Sequence, residues 1–271
     1  MPEDCTDRAD ATCPDVEEIM ASHFTLVSMP GELDCLSIPG LDGWISSNRH
    51  PVLSLVRWTT QDRARAEDAL DQVLDMCRSR GQGFDMMTGP RCEAAGLLSL
   101  LRERGFLEPP VRVAAMLRQI SADTLPNAAP EHRVWNATAE EDDRLWKLMA
   151  EGFDVPHEVG RIFHRAYMTS SDKQRTDIYG GALENSDHLA GVGYLSYIGD
   201  GPVVLLRVSV TDASCRGQGL YHAMVYERLR DAAAAGRSWA VVHAYSDSSE
   251  QVLGHMGFSR QGTFLLHRWR P

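Results

Sequence analysis

Apolar and polar positions alternate along this chain with two different periods, and each change of period marks an element. HPVLSLVRW, from His50, has the alternation of a strand, whereas Arg63 to Arg80 repeats its apolar positions at the spacing of an amphipathic helix. GFDMMTG then reads as a strand, Glu93 to Arg104 as a helix and VRVAAMLRQI as a strand. Further on, the pattern predicts a strand at His132 to Trp135, a helix from Glu140 to Gly152 and a second helical stretch from His157 to Met168. Three strand-like runs follow, TDIYGGALE, HLAGVGYLSYI and VVLLRVSVT, joined by the hairpin turns Glu184-Asn185-Ser186-Asp187 and Gly199-Asp200-Gly201-Pro202. A loop with two glycines leads into a helix whose Tyr221, Val225, Leu229 and Ala232 share a face and which ends at Gly236. WAVVHAY reads as a strand, Ser246 or Asp247 caps a short helix through Gly254, and GTFLLHRW closes the chain. The order in this second part is β-α-α-β-β-β-α-β-α-β, an α/β arrangement on a mixed sheet that begins antiparallel.

The two periodic parts are separated by Ser121-Ala122-Asp123-Thr124-Leu125-Pro126-Asn127-Ala128-Ala129-Pro130, a small, polar, proline-bearing stretch. A chain of 271 residues has room for two domains of ordinary size, so the expected division is 1–120, a linker at 121–130, and 131–271. An internal echo fits this division. Leu101-Arg-Glu-Arg-Gly105-Phe106 ends a helix before a strand much as Leu253-Gly-His-Met-Gly257-Phe258 does. Two copies of one fold would produce that echo, and so would the common use of glycine to terminate helices.

Charge and composition narrow the chemistry. The formal net charge of −11 argues against a nucleic-acid partner, whose phosphates need a basic face, and suits a cationic or neutral small substrate. No run of apolar residues is long enough to span a membrane. The opening MPEDCTDRADATCPDVEEIM has acids and a proline where a secretory signal would be basic and then apolar, so the expected location is cytoplasmic. Cys5, Cys13, Cys35, Cys77, Cys92 and Cys215 are scattered without paired spacing, and read as reduced thiols rather than a metal site.

The sharpest local signal is Ser214-Cys215-Arg216-Gly217-Gln218-Gly219, set between the strand Val203 to Thr211 and a helix. A helix start presents unpaired N–H groups and the positive end of the macrodipole, and glycines let a backbone approach a pyrophosphate closely. Arg216 adds a charged fork beside it.

With the hairpin before this loop and Gly257-Phe258 after it, His132 to Trp269 resembles the GNAT superfamily of acyl-CoA-dependent N-acyltransferases. That family's loop reads Gln/Arg-x-x-Gly-x-Gly/Ala; here Gly217 and Gly219 match and Ser214 departs. The resemblance implies that acetyl-CoA or another acyl-CoA is the co-substrate, with no metal, and that Arg216, Gly217, Gln218, Gly219, Leu220 and Tyr221 hold the pyrophosphate end. It also implies that the strand backbone at Val208, Ser209, Val210 and Thr211 pairs with the pantetheine arm, and that Ser246 lies close by. The first part resembles the degraded copy found in two-domain members; its TTQDRARAED has no glycine and is not expected to hold coenzyme A, so it is expected to wall the acceptor pocket. The implied fold is two tandem GNAT-like domains with the coenzyme site in the second.

Transfer from a thioester to an amine needs a deprotonated amine, a polarised carbonyl and a proton for the leaving thiolate. The family's usual proton donor, a Tyr five residues before the Phe, is Leu253 here. Tyr245 is the first substitute and His243 the second, with His255 and Tyr221 nearby, and each has the alternative of being a packed core side chain. The turn Glu151-Gly-Phe-Asp154-Val-Pro-His157-Glu158 offers Glu158 as general base and, with Glu151 and Asp154, an acidic rim suited to a cationic small-molecule amine. A different class of function stays open because of Leu253: a catalytically silent acyl-CoA-binding sensor or scaffold.

Overall fold

The computed structural model describes residues 13–126, 131–169, 171 and 174–271. Cys5, the opening residues before Cys13 and the linker residues Asn127–Pro130 lie outside them.

The first part of the chain opens with α1 (Val16–Ala21), whose N-terminus is closed by a capping box between Asp15 and Glu18. Two short strands follow, β1 (Leu33–Cys35), only three residues long, and β2 (Leu41–Ser46), whose LDGWIS carries no apolar–polar alternation. The strand expected from His50 is shorter than its apolar run: Pro51–Leu53 forms a 3-10 turn, and β3 is Leu55–Trp58. Next come α2 (Arg63–Arg80) and β4 (Phe84–Thr88). The helix expected over Glu93–Arg104 is two, α3 (Pro90–Ala94) and α4 (Leu98–Glu103), because Gly96 at φ 69° turns the chain between them. β5 (Leu107–Gln119) ends this part.

The second part keeps the element order read from its pattern. It runs β6 (His132–Asn136), α5 (Asp143–Gly152), α6 (His157–Met168), β7 (Gln174–Leu183), β8 (Gly191–Ile198), β9 (Val203–Thr211), α7 (Leu220–Ala234), β10 (Trp239–Ala244), α8 (Asp247–His255) and β11 (Ser259–Trp269).

All eleven strands belong to one mixed sheet in the order β1-β2-β3-β4-β11-β5-β10-β9-β8-β7-β6. The last strand of each part has crossed over: β5 pairs antiparallel with β10, and β11 lies between β4 and β5. Read outward from the β11–β5 pair, the two sides repeat. β3 runs parallel to β4 as β9 does to β10, and the remaining neighbours are antiparallel.

The echoed Leu-to-Phe segments sit at equivalent places and close their helices identically. The N–H of Phe106 donates to the Leu101 carbonyl at 3.1 Å and that of Phe258 to Leu253 at 3.0 Å, with Gly105 and Gly257 left-handed at φ 79° and 81°. This is the Schellman closure, and all four apolar partners are buried. The first and last helical turns thus aim β5 and β11 into the exchange.

One face of the sheet carries a core shared by both parts, in which α1, α5 and α6 cover Leu55, Met87, Val113, Leu205, Val241 and Phe264. The opposite face is divided between a core under α2 and α4 and another under α7 and α8.

Within β9 the pairing slips. Gly193 faces Ser209, the next β8 residue Tyr194 faces Arg207, and Val208 is left over at φ 42°. A β-branched residue at positive φ is strained, and such a bulge persists only where its surroundings hold it. Arg228 of α7 holds this one. Its Nη1 donates to the carbonyls of Tyr194 (3.1 Å) and Arg207 (3.4 Å), and its Nη2 donates to Ser209 Oγ (2.9 Å). Gly193 makes room, since a Cβ there would lie 2.8 Å from the Arg228 guanidinium carbon. Burial lowers the Arg228 pKa to about 10, with Tyr221 and Tyr179 opposing, so the side chain stays charged at neutral pH. Arg228→Met keeps the apolar stem but leaves those carbonyls unpaired, and should destabilise the fold by about 3 kcal/mol or more. Urea denaturation checks this; a wild-type midpoint would show that the bulge needs no brace.

Candidate active site between the parted strands

β9 and β10 pair only from Val203↔Trp239 to Leu205↔Val241. Both then continue, β9 to Thr211 and β10 to Ala244, without pairing each other. The β8 side of β9 resumes the ladder beyond the bulge as far as Thr211↔Gly191, so the strand stays in the sheet while its β10 edge is left open. A cavity of about 480 Å³ occupies the opening, a size suited to a small ligand. Leu206 to Ser209 line one side of it and Val242 to Tyr245 the other.

At the far end of β9 the chain makes a short 3-10 turn, Ala213–Cys215, whose Ser214 N–H donates to the Asp212 carboxylate. Gly217 and Gly219 then adopt left-handed backbone, φ 75° and 84°, which any side chain would strain. Gly219 is the N-cap of α7 and offers no side chain to the amides of the first turn, so these remain available. Nothing within 4 Å would meet a Cβ at Gly217, so the loop surface there is open. Arg216, Gln218 and Gly219 are exposed; Arg216 Nε donates to the Thr211 carbonyl at 3.2 Å, and the Gln218 carbonyl is held by His132 Nε2 at 2.6 Å. Leu220 is buried beneath the loop and Tyr221 lines the cavity. The strand residues Val210 and Thr211 connect this loop to the gap. Ser246, exposed, is occupied as the N-cap of α8, accepting from the Ser249 amide.

The cavity is walled by both parts of the chain. His23, Trp44, Leu55 and Asp85 of the first part face Met149, Phe153 and Tyr167 of the second. The first part thus packs against the second and supplies part of the cavity wall.

His243 stacks on His23 with ring centroids 5.2 Å apart, and its Nε2–H donates to the Ile19 carbonyl at 3.2 Å. That bond fixes the proton on Nε2 and leaves Nδ1, which has no partner, as an acceptor. Burial lowers the His243 pKa to about 4, and His23 is lowered by burial and by Arg207. His243 is therefore a neutral imidazole, unsuited to giving a thiolate its proton. Tyr245 stands at the mouth, 48% exposed to solvent yet ringed by protein on the cavity side. That desolvation, with Tyr167 and Asp85 adding to it, raises its phenol pKa, so the hydroxyl keeps its proton at neutral pH.

The acidic turn lies elsewhere. Glu151, Asp154 and Glu158 are exposed and none lines the cavity. The turn is closed by another Schellman pair, Asp154 to Glu151 and Val155 to Ala150, which puts Asp154 at φ 52° and sends Val155 inward instead. Glu158, on the exposed first turn of α6, is not brought to the other site residues. His255 is likewise exposed on α8 and outside the cavity lining. The sequence reading missed Asp85, the carboxylate in the lining. It is 6% exposed, bonded to Arg270 Nη2 at 3.0 Å, with a pKa raised by burial against the pull of Arg270. It also missed Arg207, hidden as an ordinary residue of a strand.

No family model and no curated protein matches this sequence. Solved structures do. A GCN5-related N-acetyltransferase from Kribbella flavida superposes with a TM-score of 0.66 at 14% identity, over 93% of this chain and 95% of that one. A tandem GNAT protein from the clavulanic acid biosynthesis pathway gives 0.61 at 13%, over 87% and 85%. A GCN5-related N-acetyltransferase from Sphaerobacter thermophilus gives 0.61 at 14%, over 90% and 83%. The chain has the tandem GNAT fold.

Within this GNAT fold only the second repeat is open. In the first, β3 and β4 stay paired through Arg57↔Met87, one residue short of the end of β3. The start of α2 is already occupied, because the Asp62 carboxylate accepts from the Arg65 amide. A carboxylate at that helix start repels the anion that the Gly219 cap leaves room for.

No helix among the described residues is long and apolar enough to cross a membrane.

The buried histidine gives a pH dependence whose sign follows from its state. His243 is neutral down to about pH 4 when folded but titrates near 6.5 when unfolded, so between these values the unfolded chain binds more protons. Stability should therefore be full above pH 6.5 and fall as pH drops toward 4. Urea midpoints across this range should slope for wild type and slope less for His243→Gln; equal slopes would show that the ring is already protonated or solvated.

Proposed function

We propose that this protein transfers an acyl group, acetyl in the first instance, from acyl-coenzyme A to the amine of a small molecule. The observation that carries this reading is the open edge of β9 leading directly to an uncapped helix start with two left-handed glycines. A pantetheine arm fits that edge as an added strand, pairing with Val208 to Thr211, while the pyrophosphate rests on the amides from Gly217 to Tyr221 beside Arg216. The thioester then lies against the bulge at Val208, where a backbone N–H of the strand polarises its carbonyl oxygen.

The amine lone pair attacks the thioester carbon, a C–N bond forms, and the electrons pass to the oxygen. When they return, the C–S bond breaks and the thiolate takes a proton. Tyr245 is the donor we assign, since its hydroxyl is protonated and stands at the β10 side of the gap, whereas His243 is held as an acceptor. The surplus proton of the amine goes to Asp85, whose raised pKa makes it a stronger base than an exposed carboxylate. The reading as a silent coenzyme-binding protein rests on Leu253, which is buried in the Schellman closure of α8 and supplies no proton; turnover with a panel of amines separates the two.

Calorimetry should give one coenzyme A per chain, and Gly219→Val should abolish binding, because φ 84° excludes a β-branched residue and a Cβ there already meets the His132 ring at 3.1 Å. Two sites per chain, or an unchanged affinity for the variant, would contradict the loop assignment. Tyr245→Phe should lower kcat about 100-fold with the coenzyme KM little changed. Wild-type kcat would leave Tyr245 as packing only.

A further inference from the structure

Arg207 is 5% exposed, lines the cavity, and forms no ion pair among the described residues. Its other donors are used: Nε bonds to Ser196 Oγ at 3.1 Å, and Nη2 to the Ser22 carbonyl at 3.1 Å and Thr25 Oγ1 at 2.9 Å. Its guanidinium carbon lies 5.2 Å from the Tyr167 ring centroid, with the Tyr167 hydroxyl close beside the guanidinium, and its Nη1 has no hydrogen-bond partner of good geometry. A buried guanidinium held only by neutral acceptors has lost its hydration without gaining a counter-charge. The side chains nearest it do not supply one. His23 and His243 are neutral, and Tyr167 and Tyr245 hold their protons. The lining carboxylate, Asp85, is bonded to Arg270 and makes no ion pair with Arg207.

We propose that Arg207 is an anion subsite of the acceptor cavity, and that a substrate of this protein carries a carboxylate which pairs with its guanidinium. This rests on the acyltransferase reading for the identity of the cavity. The rim acids that suggested a purely cationic acceptor are outside the cavity, so an amine that also bears a carboxylate matches the interior better. The same carboxylate chemistry would be met by the distal end of a dicarboxylic acyl group, and the two sources are separable.

The test compares matched substrates on the wild-type protein. ω-Aminoalkanoic acids, from glycine to aminohexanoate, are set against their carboxamides with acetyl-CoA, and acetyl-CoA is set against succinyl-CoA with a neutral amine. An acceptor carboxylate should give the best acid a kcat/KM roughly 30-fold or more above its amide. A carboxylate on the acyl group should instead favour succinyl-CoA by a similar factor. Arg207→Gln should erase whichever preference is found, and Arg207→Lys should keep part of it, which a purely structural role would not do. Should Arg207→Gln not fold, the wild-type comparison and Arg207→Lys decide alone. Acids and amides used equally, with acetyl and succinyl donors also equal, would overturn the subsite while leaving the acyltransferase reading intact. Absence of any turnover would count against the enzyme; calorimetry of the same acids and amides on coenzyme-loaded protein then decides, and equal or absent binding overturns the subsite as well.

Discussion

The parting of β9 from β10 after three paired residues is the constraint on which the rest of the site depends. Two parallel strands in one sheet would ordinarily stay in register, since every unpaired amide they leave is a lost hydrogen bond. Here the parting is held from both faces. On one, Arg228 reaches from α7 to the carbonyls exposed by the bulge; on the other, Arg207 ties the same strand to Ser22 and Thr25. Two buried cations flanking one strained valine fix the β9 backbone while its β10 edge stays open.

The exchange of β5 and β11 explains why the first repeat remains in the chain although its own gap is closed. β5 supplies the neighbour that β10 requires, and α1 delivers the segment that contacts Arg207 and His243. The cavity is thus made by both repeats, and its polar interior consists of groups neither repeat would assemble alone. Burial in this wall keeps the histidines neutral.

Much of the fold was legible because its elements carry strong periods. The second repeat's order follows from its alternating runs, and the uncapped start of α7 from two glycines placed between a strand and a helix. The echo of Leu101–Phe106 in Leu253–Phe258 was also legible, and the structure shows both segments making the same helix closure. What escaped was non-local. β1 is too short and β2, LDGWIS, too irregular to show a period, and the crossing of β5 and β11 leaves no trace in local pattern. Asp85 and Arg207 look like any polar residue of a strand until distant segments pack over them. Glu158 stands beside the pocket helices in the chain, and in the fold the Schellman closure at Asp154 leaves that stretch exposed to solvent.

Hydrogen–deuterium exchange resolved by residue, with and without coenzyme A, tests the central claim most directly. An arm lying in the gap as an added strand should slow exchange at Val208–Thr211 and at Gly217–Tyr221, and leave the matching segment of the first repeat, Arg57–Asp62, unchanged. Slowing at Arg57–Asp62, or none along the open edge of β9, would contradict it.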